Sequence, residues 1–226
     1  MAKFAKIIKE NNENLLIKKF IRLFKEKIKN KGKNRFSFVL TGGHSPKKLY
    51  KNLVKSKNLD WKKIDFFIGD ERYVKENSKN SNIKMCKKYL FEKINIQDDQ
   101  IYKIYTDKKS IKKSALDYDK KIKKYFINKK ISFDLILLGI GNDGHIASLF
   151  KKNISKKTNK NVIYVKRKDF LRISLTIKCI NKSKSIFLWA PGKSKKNIVK
   201  KILSDKKYKY PASFLKENNS TLFHSN

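Results

Sequence analysis

The 226 residues carry 58 Lys and Arg against 19 Asp and Glu, a formal net charge of +39, which at once raises the question of a polyanion partner. The basic residues are nearly all Lys, with five Arg (Arg22, Arg35, Arg72, Arg167 and Arg172), and they run along the whole chain; base-edge readout leans on Arg, so composition argues against a specific nucleic-acid reader and leaves salt-dependent attraction to polyanions. No apolar run approaches the ~20 residues of a membrane helix, and the cysteines, Cys86 and Cys179, lack metal-ligand spacing.

With three prolines and eight glycines and no Pro/Gly/Ser-rich linker, one domain over residues 1–226 is expected. The absence of a secretory signal points to reduced thiols in a cytoplasmic protein, as a monomer or weak dimer.

Residues 13 to 29 place Leu16, Phe20, Leu23, Phe24 and Ile28 on one face at helical spacing, with lysines between them. A basic amphipathic helix either lies on a membrane or packs on its own sheet, and the second reading is adopted. Phe36 to Leu40 reads as a strand. Thr41-Gly42-Gly43-His44-Ser45-Pro46 follows, then a helical pattern from Lys47 to Val54. A strand, a glycine turn and a helix start together offer backbone N–H groups to an anion. Ser45 is placed to cap that helix and Pro46 to sit in its first turn. An ordinary βα turn competes with the anion site, which the paired glycines favour.

Trp61 to Ile68 reads as a strand ending in Gly69-Asp70-Glu71-Arg72-Tyr73. Arg72 suits phosphate or carboxylate, unless Asp70, Glu71 and Arg72 form only a surface ion-pair cluster. Ser81 and Asn82 cap a helix to about Ile94, with Met85, Leu90 and Phe91 as core. Ile101 to Ile104 is a short strand. Ser110 to about Asn128 is a helix with Ile111, Ala115, Tyr118, Ile122 and Phe126 on one face.

Phe133 to Phe150 is the stretch around which the chain is organised. Leu135-Ile136-Leu137-Leu138 is a continuous apolar run that breaks into Gly139, Gly141, Asn142, Asp143, Gly144 and His145. Such a run fits a strand buried on both faces of a parallel sheet. Open α/β sheets bind ligands just past the carboxyl ends of their strands, so Asp143 and His145 stand where chemistry is expected. An imidazole two residues from a carboxylate that orients it suits a general base. A tight Asp-Gly turn is the plainer alternative.

Asn161 to Val165, Arg172 to Ile177 and Ser185 to Trp189 read as further strands. Lys196 to Leu203 is a helix, and His224 is a solvated residue of the tail. Strands alternating with helices over this length predict an α/β fold with a mainly parallel sheet.

The blocks TGGHSP (41–46), GDERYV (69–74), SN (81–82), LLGIGNDGHIASLF (137–150), RISL (172–175), PGKSK (191–195) and PAS (211–213) occur in one order over nearly the whole chain. Together they resemble the 6-phosphogluconolactonase family of the glucosamine/galactosamine-6-phosphate isomerase superfamily. The resemblance implies a Rossmann-like three-layer α/β/α domain that hydrolyses 6-phosphoglucono-δ-lactone in the oxidative pentose phosphate pathway, without metal or nucleotide. It implies that His145 is the general base on water, with Asp143 orienting its ring. Backbone N–H groups of the glycine turns would stabilise the oxyanion. The phosphate would fall to Arg72, Arg172, Lys193 and the backbone around Gly42, Gly43 and His44. Asp70 would line the pocket or hold Arg72.

Glucosamine-6-phosphate deaminases share the superfamily, but their Asn-Glu-Pro run is absent here, where Ser148-Leu149-Phe150 follows the DGHIA segment. A polyanion-binding protein on the same scaffold is the third alternative, motivated by the charge. Three features depart from the lactonase pattern. Position 44 is His, residues 151–161 are short and Lys-rich, implying a reduced rim, and Lys166-Arg167-Lys168-Asp169-Phe170-Leu171 replaces a proline-rich approach to Arg172.

Overall fold

The computed structural model of the chain describes residues 4–108, 110–154 and 158–226. Its first strand is Lys6–Glu10 (β1). Asn12 then accepts from Leu15 N and starts the helix Glu13–Asn30 (α1), which buries Leu16, Ile17, Phe20 and Phe24. Next come Phe36–Leu40 (β2), Lys47–Val54 (α2), Ile64–Ile68 (β3), Asp70–Arg72 (β4), Asn82–Tyr89 (α3) and Ile101–Tyr102 (β5). Ile111–Tyr125 (α4), Leu135–Gly139 (β6), Lys151–Ile154 (α5), Val162–Lys166 (β7) and Leu171–Leu175 (β8) follow. Ile177–Ile180 (α6), Ile186–Ala190 (β9), Lys196–Leu203 (α7) and Ser220–Ser225 (β10) complete the order.

Seven strands form one sheet in the order β1-β10-β9-β6-β2-β3-β5, with every adjacent pair parallel and helices on both sides. All of β2, β3 and β9 is buried, as strands covered on both faces must be. From the β2/β6 boundary the order runs outward as β2-β3-β5 on one side and β6-β9-β10 on the other, with β1 added at the far edge. That boundary is a topological switch point, where the loops leaving neighbouring strands diverge and open a crevice. It is pinned at its other end, where Asp134 accepts from Ser37 N and Oγ at 3.0 Å and pairs with Lys31 at 2.7 Å and Lys184 at 2.9 Å. The core against α1 is aromatic, with Phe20 packed on Phe187, Trp189 and Phe223 at 5.4, 5.7 and 5.5 Å between centroids.

A second, three-stranded sheet, β4-β8-β7, is antiparallel. Gly69 N donates to Leu40 O at 2.9 Å, and Leu175 N donates to Gly69 O at 3.0 Å. Gly69 thus joins the end of β2 to β8, and the small sheet stands over the switch point.

Several expectations are corrected. Trp61–Lys63 is a 3-10 turn, so the strand begins at Ile64. The helix capped by Ser81 ends at Tyr89, and Phe91–Lys93 is a separate 3-10 turn. Ser45 caps nothing: Pro46 holds the cap position, without a side-chain bond. Ser45 O instead accepts from Trp189 Nε1 at 3.2 Å. The tail is strand β10, seated between β1 and β9, and His224 is half-buried within it, opposite Lys9 and Ala190. Asp70, Glu71 and Arg72 are not a surface cluster, since Asp70 and Glu71 are buried. Of the Lys-rich rim, residues 151–154 form α5, and 155–157 lie outside the described residues.

Candidate active site

The loop after β2 is shaped by its glycines. A Cβ on Gly42 would lie 1.9 Å from Asn82 Oδ1, and Gly43 takes φ +84°, a conformation that favours glycine. Thr41 Oγ1 accepts from Gly139 N at 3.2 Å, and Tyr50 Oη donates to Thr41 O at 2.7 Å. The two loops leaving the switch point are therefore bonded to each other at their roots.

The loop after β6 folds on itself. Gly141 N donates to His145 O, and Gly144 N to Gly141 O, both at 2.9 Å. Asp143 Oδ1 then accepts from His145 N at 3.2 Å and faces Nδ1 at 2.5 Å. Burial pushes the Asp143 carboxyl up, but the hydrogen bond from His145 and its charge outweigh this and hold it below the ordinary value. An ionised carboxylate only accepts, so Nδ1 is the donor in this contact, and in a neutral ring the lone pair falls on Nε2. On one side the ring packs on Phe150, 4.6 Å between centroids.

The small sheet brings the cations. Arg72 and Arg172 stand directly opposite each other on β4 and β8, a like-charge arrangement that is unfavourable by itself. Arg72 Nη1 donates to Asn80 O at 2.8 Å, and Arg172 Nη2 to Asp169 Oδ2 at 2.5 Å. Both Nε atoms are buried without a partner among the described residues. Asp70 does not hold Arg72. It accepts from Ser148 Oγ at 2.6 Å, and its backbone carbonyl accepts from Asn82 Nδ2 at 2.7 Å. Glu71 turns away and accepts from Asn82 N, Ile83 N and Arg72 N at 2.7, 2.8 and 2.8 Å. Burial pushes its carboxyl up to about 7, against those three donors. Its role is to anchor the start of α3 beneath Arg72.

These groups surround one cleft of about 250 Å³, lined by Gly42, Gly43, His44, Asp70, Arg72, His145 and Arg172 among others. Asp143 reaches it through His145. Lys193 is exposed and stands outside the lining; Lys195, two residues on, lines the cleft and donates to Asn142 Oδ1 at 3.0 Å. Burial lowers the Lys195 ammonium pKa, with Asp143 opposing. The PGKSK block signalled this segment without telling one lysine from the other. Ser148, Asn82 and Phe150 were also visible as block residues, but their bonds to Asp70 and contact with His145 depend on tertiary pairing. Among the described residues, no group of three His, Cys, Asp or Glu comes together to hold a metal ion.

The sequence model of the glucosamine-6-phosphate isomerases/6-phosphogluconolactonase family matches residues 11–223. A 6-phosphogluconolactonase of Synechocystis sp. is 33% identical over 185 residues, covering 79% of this chain and 77% of its own. That of Thermotoga maritima is 31% identical, covering 84% of each. A crystal structure of a Thermotoga maritima 6-phosphogluconolactonase superimposes with a TM-score of 0.85 at 27% identity, covering 98% of this chain and 100% of that one. The chain belongs to the glucosamine-6-phosphate isomerase/6-phosphogluconolactonase family.

Proposed function

We propose that the cleft hydrolyses 6-phosphoglucono-δ-lactone to 6-phosphogluconate, with His145 as the general base on water. One observation carries this reading. An imidazole whose Nδ1 meets a carboxylate shares a cleft with two facing arginines whose Nε donors have no partner among the described residues. The first group moves a proton, and the second fits a dianionic phosphate. The names of the relatives supply the substrate class.

In the proposed step, Nε2 of His145 takes a proton from water as the oxygen attacks the lactone carbonyl. Asp143 stabilises the imidazolium that forms. Lys195 and the backbone N–H groups of the glycine loops face the developing oxyanion, where fixed donors act most strongly. When the tetrahedral intermediate collapses, the ring C–O bond breaks, and the leaving oxygen takes the proton from His145 to become the hydroxyl of the open acid. Arg72 and Arg172 hold the phosphate, at a distance from the reacting carbonyl set by the sugar chain.

The test is hydrolysis of freshly generated lactone, corrected for the spontaneous rate, beside an ammonia-release assay on glucosamine 6-phosphate. Turnover of the lactone without ammonia release is expected. Ammonia release without lactone turnover would transfer the site to the deaminase reading.

A further inference from the structure

Two arginines line the cleft, and a third stands in the neighbouring turn. Arg172 is 9% exposed and faces Arg72 across the strand pair. Arg167 lies in the turn between β7 and β8, with its guanidinium 4.1 Å from the Phe150 ring centroid. Mutual repulsion favours an Arg172 side chain that swings out to solvent when no anion is bound. It does not swing out, and the same turn supplies a carboxylate beside it. Asp169 Oδ2 accepts from Arg172 Nη2 at 2.5 Å, and Oδ1 accepts from Arg167 Nε at 3.2 Å and Phe170 N at 2.9 Å. Both carboxylate oxygens are thus engaged by these donors, and the bond from Phe170 fixes their direction. The chain of contacts runs Arg172, Asp169, Arg167, Phe150, His145.

We propose that Asp169 is a positioning residue for the anion site: it holds Arg172 in the cleft against Arg72 and, through Arg167 on Phe150, ties that cation to the ring under His145. This rests on the lactonase reading for the identity of the ligand, a sugar phosphate. An exposed ion pair is ordinarily worth little, but this one is asymmetric: the Arg172 side chain is 10% exposed and that of Asp169 42%. The carboxylate therefore acts on a guanidinium that is largely out of solvent, where the pairing is less screened.

The test is Asp169→Asn, which keeps an acceptor for Phe170 N, with Lys168→Ala as a charge change in the same turn. Calorimetric titration with 6-phosphogluconate is combined with kinetics on the phosphorylated lactone and on unphosphorylated glucono-δ-lactone. Asp169→Asn is expected to raise Kd and KM for the phosphorylated ligands roughly fivefold or more. Its kcat, and its kcat/KM on the unphosphorylated lactone, stay at the wild-type level, and Lys168→Ala changes neither affinity by as much. Unchanged or tighter binding by Asp169→Asn would overturn the inference, since the carboxylate would then be a bystander or a competitor. Equal losses on both lactones would overturn it as well, by pointing to general damage to the turn. If wild-type protein binds 6-phosphogluconate without hydrolysing the lactone, the catalytic reading fails while the ratio of Kd values still decides the role of Asp169. Absence of wild-type binding would overturn both.

Discussion

Gly141 shows how closely the backbone is fitted to the imidazole. A Cβ there would lie 2.1 Å from His145 Nδ1 and 2.7 Å from Asp143 Oδ1, so any side chain displaces the pair that sets the tautomer. Gly141→Ala is expected to melt within a few degrees of wild type, because the loop is at the surface, yet to lose about a hundredfold in kcat/KM, the usual scale for a misplaced catalytic group. Thermal melting beside lactone kinetics checks this; a folded variant of normal activity would show that ring placement is not limiting. At this scale the sequence was legible where a contact is local: Asp143 and His145, two residues apart, meet within their own loop, and the paired glycines Gly42 and Gly43 stand just ahead of α2. Lys193 and Lys195 did not separate, because a 3-10 turn at Lys193–Lys195 decides which of them faces the cleft. Arg72 and Arg172 were legible as cations, but their facing register belongs to strand pairing.

The loop after β6 does not stand alone as an element. Ala212 N donates to Gly144 O at 3.0 Å, and a Cβ on Gly144 would meet Tyr210 at 2.8 Å. The Pro211–Phe214 turn thus buttresses the loop, which gives the PAS block its physical purpose. Asp205 in turn fixes the buttress by accepting from Ser213 Oγ, Tyr210 N and Lys207 N at 2.7, 3.1 and 3.2 Å. Burial raises the Asp205 carboxyl, but those bonds prevail and hold it down at about 2. A carboxyl lowered in the folded state stabilises it above its unfolded value of about 3.9 and loses that contribution as pH falls through the folded value. Asp205→Asn is therefore expected to be less stable by about 1–3 kcal/mol at pH 7. The difference from wild type should shrink as pH falls from about 4 to about 2. Urea unfolding of both proteins across that range measures it, and a constant difference would contradict the assignment. Strands β2, β3, β6 and β9 were legible because burial on both faces makes them largely apolar, with Ser37 and Asp65 as buried exceptions. In β1 only Ile8 is buried, and β4 is three polar residues long. Their strand character comes from partners distant in the chain, and no local pattern announces it.

At the scale of the whole molecule, +39 charges repel one another, and the compact state pays for it. Few acids offset this, and several of them are drawn into buried structure: Asp65 with Arg35, and Asp134 with Lys31 and Lys184. Screening should help. Raising the ionic strength from 0.01 M to 0.15 M shortens the Debye length from about 30 Å to about 8 Å. The melting temperature is expected to rise over that interval in a salt with weakly binding ions; a fall would mean that attractive pairs dominate. The parallel α/β architecture was legible from the alternation of elements, and the cleft's location followed from the carboxyl ends of β2 and β6. The strand order that makes their boundary a switch point was not, since order is set by crossovers that leave no local mark.

The most direct measurement is the turnover of His145→Ala on freshly generated lactone, with the variant shown by circular dichroism to be folded. His145 as general base predicts a loss of about 10²- to 10⁴-fold in kcat with KM for the phosphorylated lactone little changed, because Arg72 and Arg172 remain in place. A folded variant that keeps near-wild-type kcat would contradict the assignment and leave the cleft as a sugar-phosphate site whose base lies elsewhere.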